Sequence, residues 1–184
     1  MIRFDLGGLG RGGERTTVNL AGDADVRADI VDYAAVLNEG EVDEFYLSHT
    51  LEHVPGEQYV TFLHNMVRAL KVGGAVRVIQ TDADVVIRDY VAGRLGFRSM
   101  RAVLFTPPDR LGGGSWEAAS TLQAHRNMWS AAELAKDFRA VGLVTETFDP
   151  GTWSFDMTDP FYPDELRLDW GKPIGQLGVV GRRP

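Results

Sequence analysis

The sequence predicts an α/β protein, with a mostly parallel sheet carrying helices on its faces. Three observations carry this. Short β-branched and aromatic runs alternate with segments of helical periodicity from residue 42 onward. Glycines and prolines punctuate the junctions between them. Polar and small residues gather just past the runs that read as strands. Open α/β sheets bind ligands there, beyond the carboxyl ends of their strands.

The elements follow in order. IRFDL (2–6) reads as a first strand and leads into the glycine-dense loop GGLGRGGER. TTVNL (16–20) is β-branched and strand-like, and ADVRADIVD (24–32) holds another short apolar stretch between aspartates. VDEFYLS (42–48) has strand composition. GEQYVTFLHNMVRALKVGG (56–74) is the clearest helix. Its Val60, Leu63, Met66, Val67 and Leu70 recur at helical spacing, and Gly73–Gly74 end it. AVRVIQTD (75–82) is a strand, and ADVVIRDYVAGRLG (83–96) a helix stopped by Gly96. Residues 97–129 read as irregular, on the strength of FTPPDRLGGGSW. In WSAAELAKDFRAVGL (129–143), Ser130 suits a helix N-cap, Glu133 the capping-box position and Gly142 the stop. LVTETFD (143–149) and GQLGVVGRR (175–183) are the closing strands. No repeat, low-complexity tract or linker divides the chain, so residues 1–184 read as a single domain.

Composition bounds the function. The 184 residues, 44% hydrophobic and 24% charged, suit a soluble domain with a real core. A net charge of −7 makes a poor non-specific phosphate-backbone binder, so no nucleic-acid partner is expected. Arg94, Arg98, Arg101 and Arg110 read as exposed surface. Without cysteine there is no disulfide, no thiolate metal site and no cysteine nucleophile. The start, MIRFDLGG, lacks a basic stretch followed by an apolar one. No apolar run approaches the ~20 residues of a membrane helix. A cytoplasmic protein without a membrane partner is expected. The oligomeric state is not encoded legibly.

Two motifs invite chemistry. LSHTLEHVP (47–55) contains H-x-x-E-H, the inverted zinc-protease pattern. That chemistry needs one continuous helix to bring His49, His53 and Glu52 together. Here the motif leaves a strand, and Pro55–Gly56 interrupt the chain two residues later. The reading is therefore a loop braced by Glu52 and His53, with no metal. Separately, Gly8, Gly10 and Gly13 fit G-x-G-x-x-G. Only ERTT separates Gly13 from the next strand, too short for the helix a dinucleotide site requires. What survives is a plain turn, or a loop where a ligand lies against backbone.

The run FDLGGLG, TTVNLAGDADVRADI, VDEFYLSHTLEHVP and ALKVGGAVRVIQTD resembles class I S-adenosylmethionine-dependent methyltransferases. It is most similar to short bacterial ones patterned LGCG, NVDL, ADVVADL, VDEIYSSHVLEH and RVLKPGG. HRNMWSAAELAKDFRAVGL and DWGKPIGQLGVVGRR resemble that family's later segments. The resemblance implies a Rossmann-like sheet of seven strands, the last antiparallel, with helices on both faces. It implies that S-adenosylmethionine is the cofactor and that a methyl group passes to a small-molecule or glycan-linked acceptor. The alternative is a cofactor-binding or interaction protein of the same fold without turnover.

Carried residue by residue, the resemblance assigns Gly7, Gly8 and Gly10 to the methionine part and Asp5 to its amino group. Asn19 and Leu20 stand at the ribose, Asp29 and Ile30 at the adenine, and Ser48, His49 and Thr50 close over the cofactor. Leu9 stands where the pattern wants glycine, and Asn19 where it usually has an acid. A neutral amide grips a diol less tightly than a carboxylate. Methyl transfer mainly needs alignment and, for a protonated acceptor, a base. The candidates are His49, His125 and Asp82, with His53 more readily structural and His64 a surface residue of its helix. Trp116, Trp129 and the loop at 105–116 either wall an acceptor pocket or belong to the core.

Overall fold

The computed structural model describes residues 1–7, 15–19, 24–105, 125–153 and 174–184. Its strands are β1 (Arg3–Leu6), β2 (Thr16–Asn19), β3 (Val26–Arg27), β4 (Val42–Ser48), β5 (Leu70–Thr81), β6 (Val144–Phe148), β7 (Thr152–Trp153) and β8 (Ile174–Arg182). Its helices are α1 (Ile30–Val36), α2 (Gly56–Ala69), α3 (Ala83–Val91), α4 (Phe97–Phe105) and α5 (Ala131–Ala140), with a 3₁₀ turn at Leu51–His53.

Seven strands line up as β3-β2-β1-β4-β5-β8-β6, and β7 adds a short pairing to β8. Strands β1 to β5 run parallel, with Leu6 opposite both Val18 and Leu47, and Ser48 opposite Ile79. β8 enters antiparallel between β5 and β6, so that Val179 faces Val78 on one side and Thr147 on the other. This is the expected seven-stranded mixed sheet with an antiparallel last strand. The parallel arrangement puts the ends of β1 to β5 on one edge, where the chemistry-bearing residues lie.

The core forms where apolar faces meet. Phe4, Leu6, Val18, Phe45, Leu47, Val76, Val78 and Val179 come from the sheet. Phe62, Leu63 and Met66 come from α2, and Leu134 and Phe138 from α5. Their burial follows the 3.6-residue period that marked both helices in the sequence. A smaller cluster of Ala83, Val86, Val103 and Leu104 joins α3 to α4.

Four expectations change. Helix α2 stops at Ala69, not at the glycine pair, because Leu70 turns to extended backbone (φ −64°, ψ 141°) and is buried opposite Val42. Gly74 serves a close approach instead: a Cβ there would lie 2.9 Å from the Lys71 carbonyl oxygen and 3.1 Å from that of Val42. Helix α3 ends at Val91, with Gly93 taking the left-handed turn (φ 70°) in place of Gly96. Residues 97–105 are helix, not irregular chain. The stretch 24–32 splits into β3 and the start of α1, which Asp29 caps. By contrast, α5 keeps its anticipated ends: Ser130 accepts from the Glu133 N–H, and Gly142 has φ 89°.

Candidate functional site

The edge of the sheet is built from the strand ends upward. Asp5 is the penultimate residue of β1, Asn19 ends β2, and Ser48 ends β4. Asp29 follows β3 by two residues and its carboxylate accepts from the Val31 N–H at 2.8 Å, capping α1. Ile30 is that helix's first residue and half-buried. The structure therefore brings Asp5, Gly7, Asn19, Asp29, Ile30, Ser48, His49 and Thr50 to one rim. Gly8, Gly10 and Leu20 lie outside the described residues, as do Trp116 and most of the 105–116 loop.

Gly7 is the pivot of this rim. Its N–H donates to the Val18 carbonyl at 2.8 Å, and its φ of 83° lies in the region that side chains avoid. The buried Thr50 hydroxyl sits against it, shared between the Leu6 carbonyl (2.9 Å) and the Ser48 carbonyl (3.1 Å). A Cβ on Gly7 would fall 2.3 Å from that hydroxyl oxygen. From the other side, the Asn19 amide Nδ2 donates to the Gly7 carbonyl at 3.0 Å. A carboxylate at position 19 could not make this bond, which gives Asn19 a structural reason to be an amide. Beside Gly7, burial pushes the Asp5 carboxyl above the ordinary range, against the pull of Arg15. Arg15 itself pairs with Glu44 and lies over the Tyr46 ring at 4.7 Å.

The second half of the site follows β4. His49 takes φ 51°, and its N–H donates to the Ile79 carbonyl at 2.9 Å. That kink separates it from the 3₁₀ turn, so His49 and His53 share no continuous helix. Gln176 Nε2 lies 2.8 Å from His49 Nε2. An amide nitrogen only donates, so the imidazole accepts there and carries its proton on Nδ1, 3.4 Å from Glu52 Oε1. Glu52 is only 5% exposed, and among the described residues its Oε2 has no hydrogen-bond partner. Burial pushes its carboxyl up, but the His49 hydrogen bond and the neighbouring histidines outweigh it and hold the carboxyl below the ordinary value.

His125 arrives from the far side of the chain. Its ring packs edge-on to His53 with centroids 5.1 Å apart. Its Nδ1 lies 3.0 Å from the Val103 carbonyl, which can only accept; Nδ1 therefore carries the proton and Nε2 the lone pair. Burial holds its pKa below the ordinary histidine value despite the attraction of Glu52. Glu52, His125, Gln80, Thr81, Asn127 and Met128 line a small cavity here.

Asp82, by contrast, is turned to structure: its Oδ1 accepts from the Asp84 and Val85 N–H groups and caps α3. Trp129 belongs to the core, its indole N–H donating to Asp137 at 3.0 Å beside the Tyr59 hydroxyl. His64 is exposed on α2. Sequence reasoning missed Gln176 and Gln80. A signal for Gln176 exists: an antiparallel closing strand must begin where β5 ends, and Gln176 pairs with Thr81. Gln80 sits in an apolar strand, where only its own polarity marks it.

No protein-family model matches the chain, and no curated protein does. Solved structures do. The chain is 13% identical to a SAM-dependent methyltransferase from Archaeoglobus fulgidus, with a TM-score of 0.58 over 98% of this chain and 85% of that one. It is 16% identical to a SAM-dependent methyltransferase from Thermotoga maritima, with a TM-score of 0.58 over 100% and 82%. It is 15% identical to the 1,6-didemethyltoxoflavin-N1-methyltransferase of Burkholderia thailandensis, solved with its substrate and S-adenosylhomocysteine, with a TM-score of 0.56 over 99% and 70%. The chain has the fold of these methyltransferases.

Proposed function

We propose that the chain binds S-adenosylmethionine on the rim of β1 to β4 and passes its methyl group to a small-molecule or glycan-linked acceptor. The observation that carries this is the gathering of Asp5, Gly7, Asn19, Asp29 and Ser48 on one edge of a sheet with methyltransferase strand order. When bound, the cofactor supplies an electrophilic methyl on sulfur, so the protein's task is chiefly alignment.

The donor set fits such a ligand. The half-buried Asp5 carboxylate suits an ammonium group, and burial strengthens that pairing. Asn19 offers an amide to a ribose hydroxyl while it tethers Gly7. Gly8, Gly10 and Leu20 complete this reading beside Ile30, His49 and Thr50. The cavity beside Glu52 and Gln80 has room for about one water, so an acceptor would reach His125 there only if its walls move apart; the His125 Nε2 lone pair can take a proton. His49 is the alternative base, and Asp82 a third only if it gives up its cap. No helix of the described residues is long and apolar enough to cross a membrane.

One observation favours the second reading, cofactor binding without turnover. The His49 Nε2 lone pair is already held by Gln176, so that base is occupied until Gln176 moves. Calorimetry with S-adenosylmethionine and S-adenosylhomocysteine tests both. Binding of both, followed by slow formation of S-adenosylhomocysteine with an acceptor panel, supports methyl transfer. Binding without turnover across the panel supports the second reading. No heat of binding at millimolar ligand would overturn both.

A further inference from the structure

We infer that Glu52, His53 and His125 form a binding site for a divalent transition-metal ion of the zinc or cobalt class. One potential ligand atom from each of the three lies within 4.8 Å of those of the other two. Metal–ligand bonds of about 2.0–2.2 Å at tetrahedral angles would set these donors roughly 3.3–3.6 Å apart, inside that limit. Two imidazoles and one carboxylate suit first-row divalent ions over magnesium or calcium, which prefer all-oxygen sets. Three protein ligands leave positions open toward the cavity lined by Gln80, Thr81 and Met128.

A second observation points to the same ligand. Among the described residues Glu52 Oε2 is buried and unpartnered, a cost of about 1–3 kcal/mol that a native fold rarely leaves uncompensated. A cation would remove it. The surroundings are arranged as metal sites arrange theirs. His125 donates Nδ1–H to the Val103 carbonyl, fixing Nε2 as the ligand atom. Oε1 of Glu52 is occupied by His49, which orients the carboxylate and leaves Oε2 for the ion. The sequence expectation of no metal rested on the pair His49 and His53, and the helix that pair would need is indeed interrupted. The trio here is different, because its third member arrives from a distant segment. The cation site stands whether or not the chain binds S-adenosylmethionine. Only its use rests on the proposed function: a bound ion would hold an oxygen of the acceptor, and proton removal would then fall to His49.

The test is equilibrium dialysis and calorimetry of the chelator-stripped full chain with Zn²⁺, alongside the visible spectrum with Co²⁺. The expected result is one ion per chain, a ligand-field band from Co²⁺, and at least tenfold weaker binding in Glu52→Gln and in His125→Ala. His64→Ala, on the exposed face of α2, should bind like the parent. Should His125→Ala unfold, Glu52→Gln decides the matter, since it keeps the shape of the side chain. Absence of stoichiometric binding at 100-fold excess metal over protein would overturn the site. So would binding that Glu52→Gln leaves unchanged, which would mean an adventitious surface ion. S-adenosylhomocysteine binding, measured on the same stripped protein, reports separately on the cofactor reading.

Discussion

Gly7→Ala should destabilise the protein by about 2–5 kcal/mol, and the figure comes from two separable parts. The first is backbone: Gly7 has φ 83°, and a side chain in the left-handed region costs about 1–2 kcal/mol. The second is steric. The new Cβ would lie 2.3 Å from Thr50 Oγ1 and 2.6 Å from its Cγ2, so Thr50 must swing away. Swinging away breaks its bonds to the Leu6 and Ser48 carbonyls and strands a buried hydroxyl, at about 1–3 kcal/mol. Thr50→Ala removes the two closest obstructing atoms beforehand and leaves only the Cβ of residue 50, 3.0 Å away. In that background Gly7→Ala should cost little beyond the backbone part. Urea denaturation of the parent, both single variants and the double variant closes the cycle. A coupling of about 1–3 kcal/mol is expected, with the double variant more stable than the sum of the singles predicts. Additivity within about 0.5 kcal/mol would refute the contact as the reason for glycine here.

Three further outcomes follow from the same rim. Asn19→Asp should destabilise by about 1–2 kcal/mol and fail to tighten S-adenosylhomocysteine, because a carboxylate cannot donate to the Gly7 carbonyl; tighter binding with unchanged stability would sink the tether. Asp5→Asn should be more stable than the parent at pH 7. Burial raises the folded-state pKa of Asp5 above 3.8, so its ionisation opposes folding above that folded pKa, and the opposition fades as pH falls to 3.8 and below. Denaturation at pH 7 and pH 3.5 checks this, and a loss of stability at pH 7 would contradict it; cofactor affinity should meanwhile drop. Asp82→Ala should cost about 1 kcal/mol through the lost α3 cap and leave turnover largely intact, and a collapse of turnover in a folded variant would restore Asp82 to the chemistry.

What the sequence made legible was whatever depends on local pattern. The apolar period of α2, the Ser130 cap and Gly142 stop of α5, and the alternation of strands and helices are written in neighbouring residues. The positions of Asp5, Asn19 and Ser48 followed from strand ends, because a parallel sheet sends those ends to one edge. Tertiary contacts set what was misread. Leu70 stops α2 because its side chain is buried beside Val42, a partner far away in sequence. α4 went unread because Phe97 and Met100 open an apolar stripe that runs into prolines and glycines, and composition there outweighed periodicity. Gln176 joined the site only through the pairing of β8 with β5.

The same distinction decides how the HTLEH stretch should be understood. Its letters suggest a local metal motif, but the chain spends them otherwise. His49 kinks at positive φ, Thr50 locks Gly7, and residues 51–53 form one short turn. The Glu52 carbonyl accepts from the Arg126 and Asn127 N–H groups, at 2.7 and 3.2 Å, and the Asn127 amide donates to the Val54 carbonyl. These bonds splice the turn to residues 125–127, and that splice carries His125 to the Glu52 carboxylate. Asp29, Asp82, Asn19 and Thr50 are likewise committed to backbone groups. Glu52 differs in being buried and charged, and among the described residues one of its oxygens, like Oε1 of Gln80 beside it, has no hydrogen-bond partner. An oxygen left in that state costs the fold about 1–3 kcal/mol, and the proposed cation would remove that cost.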